Sequence, residues 1–292
     1  AKHDVNRRKF MTRVSQAMGS AMLLSTAPLA DAMSSQQRQW TVGEIMDAFI
    51  AEVPGAPFEK TVDTLKAGDR DIIVTGIVTT MFATIDVIRK AIALKANFII
   101  AHEPTFYNHV DDTSWLANDS VYQYKADLLK KHNIAVWRNH DYVHRFNPDG
   151  VRAGVTKQLG WERFVTVNPP VFQIPAATLG SIVNHVKQKL GILTLRYIGN
   201  LSQNATRILL MPGSAGGINQ MKAIAREKPD VVLCGEVAEW ETAEYIRDAR
   251  AKGDKVALVV LGHIASEEPG SAFLPNWFAK KIQGITTTHH PA

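Results

Sequence analysis

The stretch Phe98-Ile-Ile-Ala-His102-Glu103-Pro104 decides how the chain reads. Four apolar residues in a row have the length and content of a buried strand, and the proline behind them ends it. In open α/β sheets, ligand sites collect outside the carboxyl ends of strands, where the backbone leaves the core and side chains converge. His102 and Glu103 deliver an imidazole and a carboxylate to that place. The pair is a candidate metal or acid/base site, and it needs partners from other strands at the same rim.

Working outward, residues 72–78 are apolar and β-branched and predict a strand. Thr84 opens a helix whose face includes Ile85, Ile88 and Ile92. Together with residues 98–101 this makes a β-α-β unit, which implies a parallel sheet and a right-handed crossover. Upstream, Thr41 and Glu44 form a capping box before a helix with Val42, Ile45, Met46, Phe49 and Ile50 on one face. Downstream, residues 108–118 are polar and irregular, with Trp115 expected to anchor them. A helix over 120–132 leads to a strand at 134–137, and Asn147-Pro-Asp-Gly starts a helix that Gly160 stops. Pro169-Pro170 marks a lobe boundary. Beyond it, strands at 171–174, 193–198, 208–211, 231–234 and 256–261 alternate with helices at 178–190, up to 227 and at 239–252. An amphipathic stretch to Ile282 and a short strand follow.

The 292 residues allow one large or two ordinary domains. The lone Cys234 excludes an intrachain disulfide framework and a cysteine-rich zinc module, and within Val231-Val-Leu-Cys234 it reads as an inert core residue. The net charge of +5 does not indicate nucleic acid. Lys2, Arg7, Arg8, Lys9 and Arg13 against Asp4 and Asp31 place +3 of it in the first 32 residues, and no basic run is interleaved with aromatics. That segment resembles a twin-arginine export leader: Asn6-Arg7-Arg8-Lys9-Phe10-Met11, a mildly apolar region, then Ala30-Asp31-Ala32 as a cleavage signal. The expectation is an exported protein, periplasmic or extracellular, without stable membrane insertion.

Three strands end in histidine-containing clusters: His102-Glu103, His140 to His144, and His263 with Glu267; Glu236 ends a fourth. His263 and Glu267 lie four apart and share a face if that segment is helical. Imidazoles with carboxylates suit zinc, manganese or iron(II), and such a set can serve two metals, which activate water and stabilise a developing oxyanion in hydrolysis. Around the rim, Trp137, Tyr142 and Phe106 could stack on a ring-bearing substrate, with core packing as the competing reading for Trp137. Tyr107 and His109 read as acid/base groups or as plain surface residues. The glycine-rich turn from Gly213 to Gly217 reads as an anion cradle or an ordinary tight turn.

The order of these clusters resembles the Nif-three-like (NGG-one-interacting factor three) family, dinuclear metal-binding proteins also labelled GTP cyclohydrolase I type 2. Gly262-His263-Ile-Ala-Ser266-Glu267 matches the family's Gly-His-x-x-Ser-Glu motif in full. Cys234-Gly235-Glu236 resembles its Gly-Asp turn, and residues 183–197 resemble its Val-Lys-x-x-Leu-Gly…Leu-Arg-Tyr stretch. Two positions depart. The His-His-Pro turn reads His102-Glu103-Pro104, and His-Thr-Asn-x-Asp reads His140-Asp-Tyr-Val-His144. One His→Glu and one Asp→His exchange leave the number of donors unchanged. The resemblance, over residues 40–292, implies two metal ions on His102, Glu103, His144, His263 and Glu267, with Asp141 in reserve for His144.

It also implies an α/β fold of two interleaved lobes, residues 40–168 and 169–292, with mixed, mainly parallel sheets. The resemblance further implies that the final strand and the Gly-His-x-x-Ser-Glu motif return to the metal site and that the chain forms a homo-oligomer, since the family often assembles as rings of six subunits. The function expected is a metal-dependent hydrolase acting on a small molecule through metal-activated water, with Glu267 as the catalytic carboxylate. The alternative is a non-catalytic metal-binding, metal-delivery or assembly protein.

Overall fold

Helix α1 (Val42–Ile50) opens on the expected capping box: Glu44 N donates to Thr41 Oγ1 at 3.2 Å, and Thr41 N donates to Glu44 Oε2 at 2.9 Å. The structure, a computed structural model, describes residues 38–167 and 171–292. The leader and the Pro169-Pro170 boundary lie outside the described residues. Among those described, no helix is long and apolar enough to cross a membrane.

After α1 come β1 (Leu65–Ala67), β2 (Ile77–Thr80), α2 (Ile85–Ala93), β3 (Phe98–Ala101), α3 (Ser120–Lys131), β4 (Ala135–Arg138), the single turn α4 (Asp141–His144) and α5 (Gly150–Leu159). The chain continues through β5 (Val165–Val167), β6 (Val171–Thr178), α6 (Leu179–Leu190), β7 (Arg196–Ile198), β8 (Asn204–Met211), α7 (Gly217–Glu227), β9 (Val231–Cys234), α8 (Glu244–Ala251), β10 (Ala257–Val260), α9 (His263–Lys281) and β11 (Thr287–His289). The fold is α/β with two sheets. The first has the order β1-β4-β3-β2-β11 and is parallel except for β1 at its edge. The second has the order β5-β6-β8-β9-β10-β7, with β8, β9 and β10 parallel and the remaining pairings antiparallel.

Both parallel cores are covered on two faces, which explains why their strands are continuous apolar runs. In β3, Phe98 and Ile100 pack with α1 residues Ile45 and Phe49, whereas Ile99 and Ala101 pack with α2 residues Val87 and Ile88. The period of two along a strand produces this division. In the second sheet, Leu210 and Leu233 join the α6 layer, and Leu209 and Val232 the layer of α7 and α8. Helix α9 leaves β10 and runs back to the first sheet, where Phe278 enters the α1 core, and β11 then pairs with β2. It crosses α5 closely: a Cβ on Gly154 would stand 2.6 Å from Pro269 O, so only glycine fits there.

Three expectations need correction. Residues 72–78 do not form one strand. Asn97 Oδ1 accepts from Thr75 N at 2.8 Å and Asn97 Nδ2 donates to Ile73 O at 2.8 Å, so a side chain takes the bonds a neighbouring strand would make, and β2 begins only at Ile77. Trp115 is no anchor. It is 64% exposed while Leu116 is buried, because in the 3-10 turn Ser114–Leu116 adjacent side chains diverge by about 120°. The helix expected over 239–252 is split by a π turn at Glu239–Ala243. Strand β1, half-buried at an edge, carries no alternation that would have revealed it.

Candidate metal centre

The register fixes where the rim lies. Thr80, Ala101 and Arg138 are level in the first sheet, and Met211, Cys234 and Val260 are level in the second. His102 follows β3 directly, and Asn139-His140 follows β4. The α4 turn then folds the chain back, with His144 N donating to His140 O at 3.3 Å, so the two imidazoles four apart share a face. Buried Asp63 holds that turn: its Oδ1 accepts from His140 N at 2.8 Å and its Oδ2 from Tyr142 N at 2.7 Å. From the other sheet, α9 begins with His263, and one turn later places Glu267 on the same side.

The donor atoms converge. His102, His140 and His144 each offer a nitrogen within 4.8 Å of the others, and His102, Glu103 and Glu267 form a second such group sharing His102. His263 Nε2 lies 3.1 Å from Glu103 Oε1 and 3.0 Å from Glu267 Oε2. The five residues expected as ligands are therefore brought together, and so is His140, which belongs to the same motif but not to that ligand set. Its Nε2 is 3.8 Å from Glu103 Oε1. Asp141 turns away from the cluster, accepting from Thr61 Oγ1 at 2.8 Å and facing His140 Nδ1 at 2.9 Å.

Each imidazole is held by its Nδ1. The partners are Asn139 O for His102 at 3.3 Å, Asp141 for His140 at 2.9 Å, Asp149 for His144 at 3.0 Å and Glu236 for His263 at 2.9 Å. This leaves Nε2 for the centre, the arrangement by which carboxylates and carbonyls orient metal-bound histidines. His102 Nε2 is buried and makes no hydrogen bond, although Glu267 Oε2 stands 3.4 Å away. An orphaned buried nitrogen among carboxylate oxygens and imidazoles fits a divalent cation such as zinc, manganese or iron.

The electrostatics point the same way. Burial alone would lower the His263 pKa, but its hydrogen bonds to Glu103 and Glu267, with their charges, push it up to about 11. Burial likewise opposes charge on Glu267, yet the imidazoles of His102 and His263 hold its carboxyl well below the usual range. His140 is pushed down to about 4 by burial and the charge of His102, with Asp141 opposing. Without metal, a proton on His263 thus stands between the two carboxylates where a cation would. Glu103 is steadied from behind: Arg138, wholly buried, places Nη2 3.4 Å from Glu103 Oε2 and donates to the backbone oxygens of His102 and His109.

The cluster opens into a cavity of about 1020 Å³. Tyr107 and His109 line it. The rings that could stack on a substrate do not line it, and Trp137 takes the core-packing reading. Trp137 is fully buried, Tyr142 stacks on Phe58 at 4.9 Å, and Phe106 is buried against Tyr122 at 5.2 Å. Gly213 N donates to Ser266 Oγ at 2.9 Å, so this N–H of the glycine-rich turn is engaged by the protein itself.

With this geometry in place, the sequence pattern of the Duf34/NIF3 (NGG1p interacting factor 3) family matches residues 43–290. The chain belongs to this family. Among its relatives, a GTP cyclohydrolase 1 type 2 homolog of Clostridium acetobutylicum is 23% identical over 232 residues, spanning 75% of this chain and 81% of that protein. The crystal structure of a hypothetical protein of Staphylococcus aureus superposes with a TM-score of 0.70 at 22% identity, covering 87% of this chain and 97% of that one. A Bacillus cereus protein related to NIF3 gives 0.67 at 16% identity, covering 86% and 96%. At those identities the structural likeness establishes the fold.

Proposed function

We propose that this protein binds two divalent metal ions, which His102, Glu103, His140, His144, His263 and Glu267 would hold between them, His102 giving its one free nitrogen, Nε2, to a single ion. It then acts as a hydrolase on a small molecule. The observation that carries the enzymatic reading is that the cluster forms part of the lining of a cavity of about 1020 Å³, room for a substrate that a metal store or carrier does not need. Bound divalent metals supply a water acidic enough to ionise near neutral pH and positive charge for a developing oxyanion.

The chain's own residues do the rest. Glu267, buried and ionised, orients the centre from α9. Glu103 is fixed by Arg138 so that only Oε1 faces the centre. The Nδ1 partners keep four imidazoles in one tautomer. GTP, which the designation of the Clostridium relative names, does not suit this chain as substrate. The leader-like sequence at residues 1–32 points to twin-arginine export, and an exported protein meets little GTP. By the same family resemblance, the working form is a homo-oligomer.

The test is metal-reconstituted protein screened against phosphoesters, nucleotides, amides and lactams, beside Glu267→Gln. Metal-dependent turnover that the variant loses supports the hydrolase. Tight metal binding with no turnover on any class supports a metal-delivery protein instead. Anomalous diffraction at the zinc, manganese and iron edges settles the number of ions and their ligands.

A further inference from the structure

Lys125 of α3 is part of the cavity lining, yet it is only 4% exposed. Lys130 and Lys131 end the same helix in solvent, whereas Lys125 points inward with Leu129. Its Nζ donates to Thr105 O at 2.6 Å and stands 5.6 Å and 5.2 Å from the ring centres of Phe106 and Tyr107. An ammonium has three N–H donors, and a carbonyl with two ring faces does not neutralise it. Among the described residues no carboxylate lies within ion-pair distance of Nζ. The cavity's own carboxylates, Glu103, Glu236 and Glu267, all face His263. Burial accordingly pushes the amine down to about 8, with the charge of Asp111 opposing. A buried cation is stable in proteins when an anion answers it.

The loop that carries these partners is itself strained. Tyr107 holds φ +67, the left-handed region, which is unusual for a bulky residue, and its half-exposed side chain lines the cavity. Strain of this kind is concentrated at ligand-binding loops. Phe82, Ile85 and Ile264 supply an apolar part of the lining.

We propose that Lys125 is the anion-binding residue of the cavity. The substrate class is then a small molecule whose acidic group, a phosphate ester or a carboxylate, docks on Lys125 beside Tyr107 while its reacting part lies at the imidazole–carboxylate cluster. The proposal rests on the cavity being a substrate site.

The test titrates the full chain, zinc-loaded and metal-free, with phenyl phosphate, benzoate and benzyl alcohol by calorimetry. At least one anion binds about tenfold or more tightly than the neutral alcohol, and binding persists without metal. The stronger of the two identifies the acidic group. Lys125→Met weakens that anion by about tenfold or more with zinc stoichiometry unchanged, and Lys125→Arg retains binding. Affinity unaltered in Lys125→Met, as when the anion sits on the metal alone, overturns the proposal; so does the failure of both anions to bind. Should Lys125→Met not fold, reductive methylation of the native protein with peptide mass spectrometry replaces it. The anion slows labelling at Lys125, and equal labelling with and without it overturns the proposal. Anion binding that persists in protein without turnover would separate failure of the hydrolase reading from failure of this one.

Discussion

Arg138 Nη2 lies 3.4 Å from Glu103 Oε2, with the guanidinium sealed from solvent at the end of β4 and the carboxylate at the end of β3. Parallel neighbours in register place the two side by side, since Arg138 pairs with Ala101, two residues before Glu103. The same guanidinium faces Asp111 Oδ2 at 3.8 Å, and Lys66 Nζ reaches that oxygen at 3.3 Å. A chain of alternating charges therefore runs from Lys66 to His263. Removing its centre leaves two carboxylates under-compensated in the interior.

Arg138→Met is expected to destabilise the protein by about 3–5 kcal/mol, the usual cost of stranding a buried charge. Glu103→Gln in the same chain should recover part of that loss. Urea unfolding of the two single variants and the double variant measures the coupling. Strictly additive effects would show that the pair is not an energetic unit.

Metal uptake should release a proton. In the metal-free protein the His263 pKa stands at about 11, above the roughly 6.5 of an unfolded chain. Its stabilising contribution is fully present below about pH 6.5 and is lost as pH rises through about 11. A cation must displace that proton, so zinc affinity rises with pH across this window. Calorimetry at near-neutral pH in buffers of different ionisation enthalpy reads the proton directly, and a heat independent of buffer would count against it.

Asp149→Asn removes the carboxylate that fixes His144 through Nδ1 at 3.0 Å. Loss of such an orienting partner typically costs about 10–100-fold in metal affinity. Competition with a chelator measures it, and unchanged affinity would place His144 outside the centre.

Gly213→Ala should damage the centre from the second sheet. Gly213 has φ +62, and an added Cβ would stand 2.2 Å from Glu267 Oε1, which is buried and cannot swing clear. A loss of about 1–3 kcal/mol, typical of overpacking, is expected together with weaker metal binding. Thermal melts with and without zinc separate the two effects.

Cys234 should be inert to thiol reagents at about pH 8, where a free cysteine is partly thiolate. It is fully buried in β9, and burial pushes its pKa up to about 12. Rapid labelling of the native protein would contradict this placement, whereas labelling only after denaturant supports it.

Local structure and the available chemistry were legible in the residues alone. Thr41 with Glu44, Thr84, Asp149 and Gly160 set helix ends through bonds within a few residues, and those ends appear where the pattern puts them. Apolar runs such as Val231–Cys234 became strands because both sheet faces are covered. Histidines after β3 and after β4 were legible as a shared rim because those parallel strands end in register, whereas His263 comes from the start of α9, behind the second sheet. Which atoms meet depends on packing between distant segments. Asn97 interrupting the strand at residues 73–75, Asp63 holding the α4 turn, and Arg138 behind Glu103 depend on contacts between segments distant in sequence. The same holds for His140 joining His102, and for Lys125 turning inward from a helix that otherwise reads as a solvated face. Propensity and periodicity act over one or two turns of chain; burial and charge pairing are set by whatever packs against a residue, and that exists only once both sheets have closed around the cavity.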